Sequence, residues 1–374
     1  MIFFTDAREK SFLSSIISIS AFSPGSNWGI KTVFPLIFPI EFPPETILSA
    51  IIVIYAVNIA KISGVFHMKK NTVFVEMDDG QKIALHTWLP DGEVKAVVQL
   101  CHGMAEFSMR YDRFGEILAE NGIAFYAHDH RGHGETAGCI ENLGYLADRD
   151  GFQRVVIDVR NLVKKAHEDF PGKKVFIFGH SFGSFVTQSF IEQFADEVSG
   201  AVICGSAGPR PLTIKFGLIL AKIINAFKGG KSKAALLDGI AFGAYNKMIK
   251  DASTPFDWLS RDPEEVKKYA DSPYCGFVCT NSFFKDMFTG LSTIHKPENM
   301  KKIPENLPVF LIAGTADPVG NYGKTVVNLW KIYKANGISD LQIKLYKDAR
   351  HELLNETNHA EVEGDVLNWL NAHI

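Results

Sequence analysis

Val175-Phe176-Ile177-Phe178-Gly179-His180-Ser181-Phe182-Gly183-Ser184-Phe185-Val186 is the stretch that decides how this chain folds. Its first four residues are apolar and either β-branched or aromatic, the pattern of a strand buried on both faces. Gly179 to Gly183 then places a serine between small residues, and Ser184 to Phe190 reads as a helix. Strand, tight turn and helix are the setting in which Gly-x-Ser-x-Gly marks a nucleophile elbow. The turn holds Ser181 in a strained backbone conformation, so a side chain at 179 or 183 would collide with the neighbouring strand or helix. The N-terminal amides of the helix point at the serine, where negative charge would develop.

Working outward, strands and helices alternate. Asn71 to Met77 and Lys82 to Leu89 flank the turn-rich Asp78-Asp79-Gly80-Gln81 and predict a β-hairpin. Short apolar runs follow at Ala96–Leu100, Ile123–Ala127, Ala201–Ile203, Val309–Ile312 and Ile343–Tyr346, with amphipathic helices such as Phe152–Glu168 and Tyr322–Asn336 between them. This alternation predicts an α/β fold: a mostly parallel central sheet with helices on both faces. One interval breaks it. From about 209 to 300 only helical pieces rich in Phe, Ile and Leu occur, among them the apolar stretch Ile214–Phe227 with lysines at 215, 222 and 228. Two readings fit: a subdomain that merely packs on the sheet, or a helical lid over the strand C-termini, where open α/β sheets bind ligands. Its position between the serine and the later acid favours the lid.

Bulk properties narrow the classes. The 374 residues, 46% hydrophobic and 22% charged, suit a soluble globular protein with a sizeable core. A net charge of −3 without a dense Lys/Arg block gives no reason to expect nucleic acid as a partner. The five cysteines imply no disulfide framework, and Cys275 and Cys279 lack the partners of a zinc site, so they read as small buried hydrophobes.

Residues 1–67 differ from the rest. They hold a Pro-interrupted apolar run over 32–40 and an uncharged run from Ile47 to Ala60. Three readings stand: a disordered leader or gene-model artefact with translation from Met68, a membrane anchor, and a cap over the substrate entrance. The second run reaches the ~20 residues of a membrane span only if Lys61 snorkels and Ile62 to Phe66 join it. The expected location is cytoplasmic, with the leader as the route to membrane association, and residues 68–374 form the folded domain.

A serine hydroxyl is a weak nucleophile at neutral pH and needs a base, which in turn needs an orienting acid. Asp317, in Ala313-Gly314-Thr315-Ala316-Asp317-Pro318, falls in a loop at a strand end, and His351 follows the next strand in the same way. Ser181, Asp317 and His351 therefore form the candidate triad, in the chain order of α/β-hydrolases. Singly, Asp317 could be a turn acid and His351 a surface histidine; their positions at successive strand ends argue otherwise. The candidate oxyanion hole is the backbone N–H of Met104 with that of Phe182. Gly103 is expected to let the chain turn sharply after Leu100-Cys101-His102, with His102 organising the loop. His128-Asp129-His130-Arg131-Gly132-His133 looks like a metal run of metallo-hydrolases, but Gly132 stands where that run has aspartate and later histidine ligands are missing, so no metal is expected.

These motifs together resemble the monoacylglycerol lipase and lysophospholipase-like branch of the α/β-hydrolases, also labelled serine aminopeptidase-like. The resemblance rests on His102-Gly103-Met104-Ala105-Glu106 with Arg110-Tyr111, Asp129 to Gly134, Gly179 to Gly183, Gly314 to Gly320 and Arg350-His351-Glu352. Trp258 to Asp262 and Asp271 to Phe277 look like the lid segment of bacterial members. It implies hydrolysis of a carboxylic ester on a lipid-like, single-acyl substrate through an acyl-enzyme, without metal or cofactor. A peptidase on the same fold is the alternative, and it would need an acidic site for the substrate's free amine. A catalytically silent binding module would show a broken triad or oxyanion loop, and neither is visible. The branch usually carries Gly and His where Ala105 and Phe107 stand here, and Met-Gly-Gly where this chain has Phe182-Gly183-Ser184. Phe182 and Phe107 are therefore expected to reshape the acyl pocket. A preference for long single chains would support the lid as a membrane-docking surface.

Overall fold

Lys69–Glu76 (β1) and Lys82–Leu89 (β2) pair antiparallel in full register, from Lys69 opposite Leu89 to Glu76 opposite Lys82. The turn between them closes where Gly80 N–H donates to the Met77 carbonyl at 2.9 Å. The computed structural model describes residues 68–250 and 252–374; the sequence readings made for 1–67 lie outside the described residues. Among the described residues no helix is long and apolar enough to cross a membrane.

From Ala96 the chain winds strand and helix alternately. Ala96–Cys101 (β3), Asp112–Glu120 (α1), Ile123–His128 (β4), Gly151–Asp169 (α2), Lys174–His180 (β5), Phe182–Gln193 (α3) and Gly200–Cys204 (β6) come first. Five helices follow without a sheet strand: Pro211–Lys228 (α4), Ala235–Phe242 (α5), Pro263–Asp271 (α6), Asn281–Ile294 (α7) and Pro297–Met300 (α8). The interval does contain one isolated antiparallel bridge, Lys233 with Thr280. Val309–Gly314 (β7), Lys324–Ala335 (α9), Leu341–Tyr346 (β8) and His359–His373 (α10) complete the domain.

Among the described residues eight strands form one sheet in the order β1-β2-β4-β3-β5-β6-β7-β8. β2 meets β4 antiparallel, and every pairing from β4 onward is parallel. Side chains alternate between the two faces, as the two-residue strand period requires. Val175 and Ile177 join the core under α2, α3 and α9, whereas Phe176 and Phe178 join the core under α1 and α10. Burying each such side chain contributes roughly 1.5–3 kcal/mol. The strand order reverses between β3 and β5: β4 lies to one side of β3, and β5, β6 and β7 to the other. Open α/β sheets place their binding crevice outside the carboxyl ends of the strands at such a switch point. Here those ends are Cys101 and Gly179, which are register partners.

Helix α9 starts two residues later than the sequence predicts, at Lys324. Asn321, Tyr322 and Gly323 all have positive φ, of 49°, 57° and 78°, so the right-handed helix cannot begin before them.

Candidate active site

Ser181 leaves β5 with φ 52° and ψ −118°, a backbone conformation that costs a non-glycine residue roughly 1–3 kcal/mol. Both of its backbone groups are held. Its N–H donates to the Cys204 carbonyl at 3.0 Å, and its carbonyl accepts from Ser184 Oγ at 2.5 Å. A Cβ at Gly179 would stand 2.2 Å from Thr187 Oγ1, and one at Gly183 would stand 2.0 Å from the Cys101 carbonyl oxygen. The small residues around the serine are thus demanded by the close approach of α3 to β5 and β3.

Asp317 and His351 leave β7 and β8 and meet beside the elbow. His351 Nδ1 donates to Asp317 Oδ2 at 3.0 Å, with both side chains almost wholly buried. The other carboxylate oxygen, Oδ1, accepts from the Val319 N–H at 2.8 Å. This arrangement fixes the imidazole tautomer with the lone pair on Nε2. Nε2 is buried and has no hydrogen-bond partner among the described residues. The Ser181 hydroxyl therefore does not donate to it here, a contact that tightens in many hydrolases only when substrate is bound. Gly314 lets the two loops close on each other: a Cβ there would lie 2.0 Å from the Ala349 carbonyl oxygen.

The loop after β3 brings Gly103 and Met104 beside the elbow. Gly103 does not use a left-handed conformation; the positive φ of this loop falls on Ala105, at 54°. Glycine is needed at 103 for closeness, because a Cβ would stand 2.6 Å from Glu106 Oε1 and 3.2 Å from the Ser181 Cβ. The Gly103 N–H donates to Glu106 Oε1 at 2.5 Å. Met104 and Phe182 both border the same cavity as Ser181. The Phe182 N–H lies in the first turn of α3, where no intrahelical acceptor exists.

The histidine-rich run builds the floor of this loop. Gln99 Nε2 donates to His128 Nδ1 at 2.9 Å, His128 Nε2 to His130 Nδ1 at 2.9 Å, and His130 Nε2 to the His102 carbonyl at 3.0 Å. His102 Nε2 accepts from the His130 N–H at 2.9 Å, while its Nδ1 donates to the Gly103 carbonyl at 2.7 Å. The Ala105 N–H reaches His133 Nε2 at 3.3 Å. Burial pushes these imidazoles down, His128 and His133 to about 3, so all are neutral near pH 7. His102 organises the loop and is wholly buried.

A cavity of about 460 Å³ opens over Ser181 and His351. Phe216 and Leu220 of α4, Ile240 of α5, and Met287, Phe288 and Leu291 of α7 supply much of its apolar wall. Of the two expected wall-shapers, only Phe182 borders the cavity. The Phe182 ring is 1% exposed and lodges against Phe283, Phe152 and His130. Phe107 packs on Tyr274, 5.7 Å between ring centres. Phe107 lies outside the cavity lining. Sequence reasoning quoted Glu106, Arg110 and Glu352 without giving them a role, yet the three meet behind the loop, joined by His180. Their separation along the chain hid this cluster.

Residues 92–358, well over half of the chain, match the family model described as serine aminopeptidase, S33. The chain belongs to this family. Among S33-like relatives, it is 26% identical to a monoacylglycerol lipase of Mycolicibacterium smegmatis over 79% of this chain and 95% of that protein. It is 27% identical to the human monoglyceride lipase, over 78% of this chain and 86% of that protein. The S33 domain also superposes on a thermostable carboxyl esterase of Bacillus coagulans, solved with glycerol, with a TM-score of 0.76. Identity there is 27%, over 82% of this chain and 99% of the other. The fold is that of the α/β-hydrolases, and the chain is a serine hydrolase.

Proposed function

We propose that this chain hydrolyses the carboxylic ester of single-acyl lipids, a monoacylglycerol or a lysophospholipid, through an acyl-enzyme. The observation that carries the reading is the apolar cavity of about 460 Å³ over Ser181 and His351, a size suited to one lipid chain. In this reading Ser181 Oγ attacks the ester carbonyl and His351 Nε2 takes its proton. Asp317 holds the ring and stabilises the imidazolium as it forms. The Met104 and Phe182 amides receive the oxyanion. Collapse breaks the ester bond, and the proton on His351 passes to the leaving alcohol. Water, deprotonated by the same nitrogen, then releases the fatty acid and restores Ser181.

Helices α4 to α8 act as the lid, and a lipid surface is its docking partner. Leu212, Phe216, Ile219, Ile223 and Phe227 stand on one exposed face of α4 at helical spacing. Between 209 and 237 the chain carries Arg210, Lys215, Lys222, Lys228, Lys231 and Lys233 and no acidic residue. An apolar face fringed by cations fits a membrane interface.

No observation favours the peptidase. Glu106 and Glu352, two carboxylates that border the cavity, are already paired with Arg110 and His180. Asp238, on the lid side of the cavity, has its carboxyl pushed up by burial. A substrate panel tests the function: monoacylglycerols and lysophospholipids graded by chain length, beside aminoacyl amides. Turnover confined to the amides would overturn it.

A further inference from the structure

Glu106 stands at the centre of a buried set of groups that touches all three loops of the site. Its Oε1 accepts from the Gly103 N–H at 2.5 Å, Tyr111 Oη at 2.9 Å and His180 Nδ1 at 3.1 Å. Its Oε2 accepts from Arg110 Nη1 at 2.7 Å. Arg110 in turn grips Glu352 with two parallel bonds, Nη1 to Oε1 and Nη2 to Oε2, each 2.6 Å. Glu352 adjoins His351, and the His351 carbonyl lies 3.3 Å from His180 Nε2. One imidazole, His180, thus bridges the carboxylate that holds the oxyanion loop and the backbone of the candidate base.

Hydrogen-bond chemistry determines the state of that imidazole. Nδ1 faces a carboxylate and Nε2 faces a carbonyl, both acceptors only, so each nitrogen must carry a proton. Charge gives the same answer independently. Glu106 and Glu352 are two buried carboxylates facing one guanidinium, and a buried uncompensated charge is costly. An imidazolium brings the set to neutrality. We propose that His180 is held as an imidazolium and is a positioning residue for the reaction, locking the Gly103–Met104 amides and the His351 backbone in register through Glu106.

Burial opposes the charge on His180, but the bond and charge of Glu106 override it and hold the imidazole above its usual range. The groups facing it are His102 and Glu106 from the oxyanion loop, Arg110 and Tyr111 from the following turn, His351 and Glu352 from the base loop, and Cys204 from β6. A raised folded value means that the charge is complete below the unfolded value. It is lost as pH rises through the folded one.

Neutron diffraction from perdeuterated crystals near pH 7.5, where a free histidine is about nine-tenths neutral, reads the protonation directly. Deuterium on both nitrogens of His180, with one on His102, His128 and His130, is the expected result. A single deuteron on His180 would overturn the proposal. The kinetic arm rests on the serine-hydrolase reading. His180→Asn should lower kcat on a soluble short-chain ester about tenfold to a hundredfold, with KM little changed, and should lack the alkaline fall in activity expected of the wild type. An unchanged kcat and pH profile would also overturn it. If the variant does not fold, the diffraction result decides alone, whether or not Ser181 is the nucleophile.

Discussion

Gly183, in the first turn of α3, sits so close to the end of β3 that a Cβ on it would lie 2.0 Å from the Cys101 carbonyl oxygen and 2.5 Å from that of His102. Alanine in a helix interior is ordinarily worth about 1 kcal/mol over glycine. Here it would have to displace backbone, the cost of overpacking is about 1–3 kcal/mol or more, and the steric effect wins. Gly183→Ala should lower Tm in a calorimetric scan and reduce turnover together, because the obstruction lies between the elbow and the loop after β3.

Ser181→Ala should abolish labelling by a fluorophosphonate probe and cost a factor of ~10⁴ or more in kcat, with Tm near that of the wild type. Equal labelling of the two proteins would remove Ser181 from the proposed triad.

Asp317→Asn tests the acid separately. The Asp317 carboxylate accepts from both His351 Nδ1 and the Val319 N–H. An amide in its place can satisfy one of those donors while presenting its own N–H to the other. The expected outcome is a loss of roughly 10⁴ in kcat from the wrong tautomer, with binding of a substrate analogue retained.

Acid stability should depend on Asp129. Burial pushes its carboxyl up, but the nearby His86 imidazole and the bonds from the Ser108 hydroxyl and N–H outweigh burial and hold it down at about 2. A depressed folded value means stability that is present above the unfolded value and lost as pH falls through the folded one. The contribution is roughly 2 kcal/mol at neutral pH. Tm of the wild type should therefore fall between about pH 4 and pH 2, and Asp129→Asn should be less stable at pH 7 with a flatter acid limb.

The lid proposal separates into apolar and electrostatic parts. Phe216→Ser with Phe227→Ser should weaken flotation with vesicles of any composition. Lys215→Glu with Lys222→Glu should do so chiefly on anionic vesicles, at low salt most of all. Turnover of a soluble short-chain ester should change little in the lysine variants, whose side chains are exposed. Unaltered flotation of all four-substituted protein would remove the lipid surface as the lid's partner.

The sheet was legible because its strands are short apolar runs with turn residues between them, and Val175–Phe178 with the glycines around Ser181 leave few alternatives. Asp317 and His351 were legible by position, each one loop beyond a strand. The charge cluster was not, since Arg110 and Glu352 are far apart in sequence and nothing local distinguishes a buried arginine from a solvated one. Gly103 shows a subtler gap. Sequence marks a glycine as special without saying whether backbone conformation or an approaching atom demands it. Likewise Phe107 looks like a pocket residue until packing turns its ring towards Tyr274.

The histidines beneath the loop after β3 have a consequence for coordination chemistry. A metal ion needs the lone pair of an unprotonated ring nitrogen. On His128 and His130 that lone pair faces another side chain's N–H, and on His102 and His133 it faces a backbone N–H. Capturing an ion at this run would mean surrendering those bonds in a dry interior, and with them the shape of the loop that borders Ser181. The same residues that spell a ligand set in the sequence are, once folded, a set of closed valences.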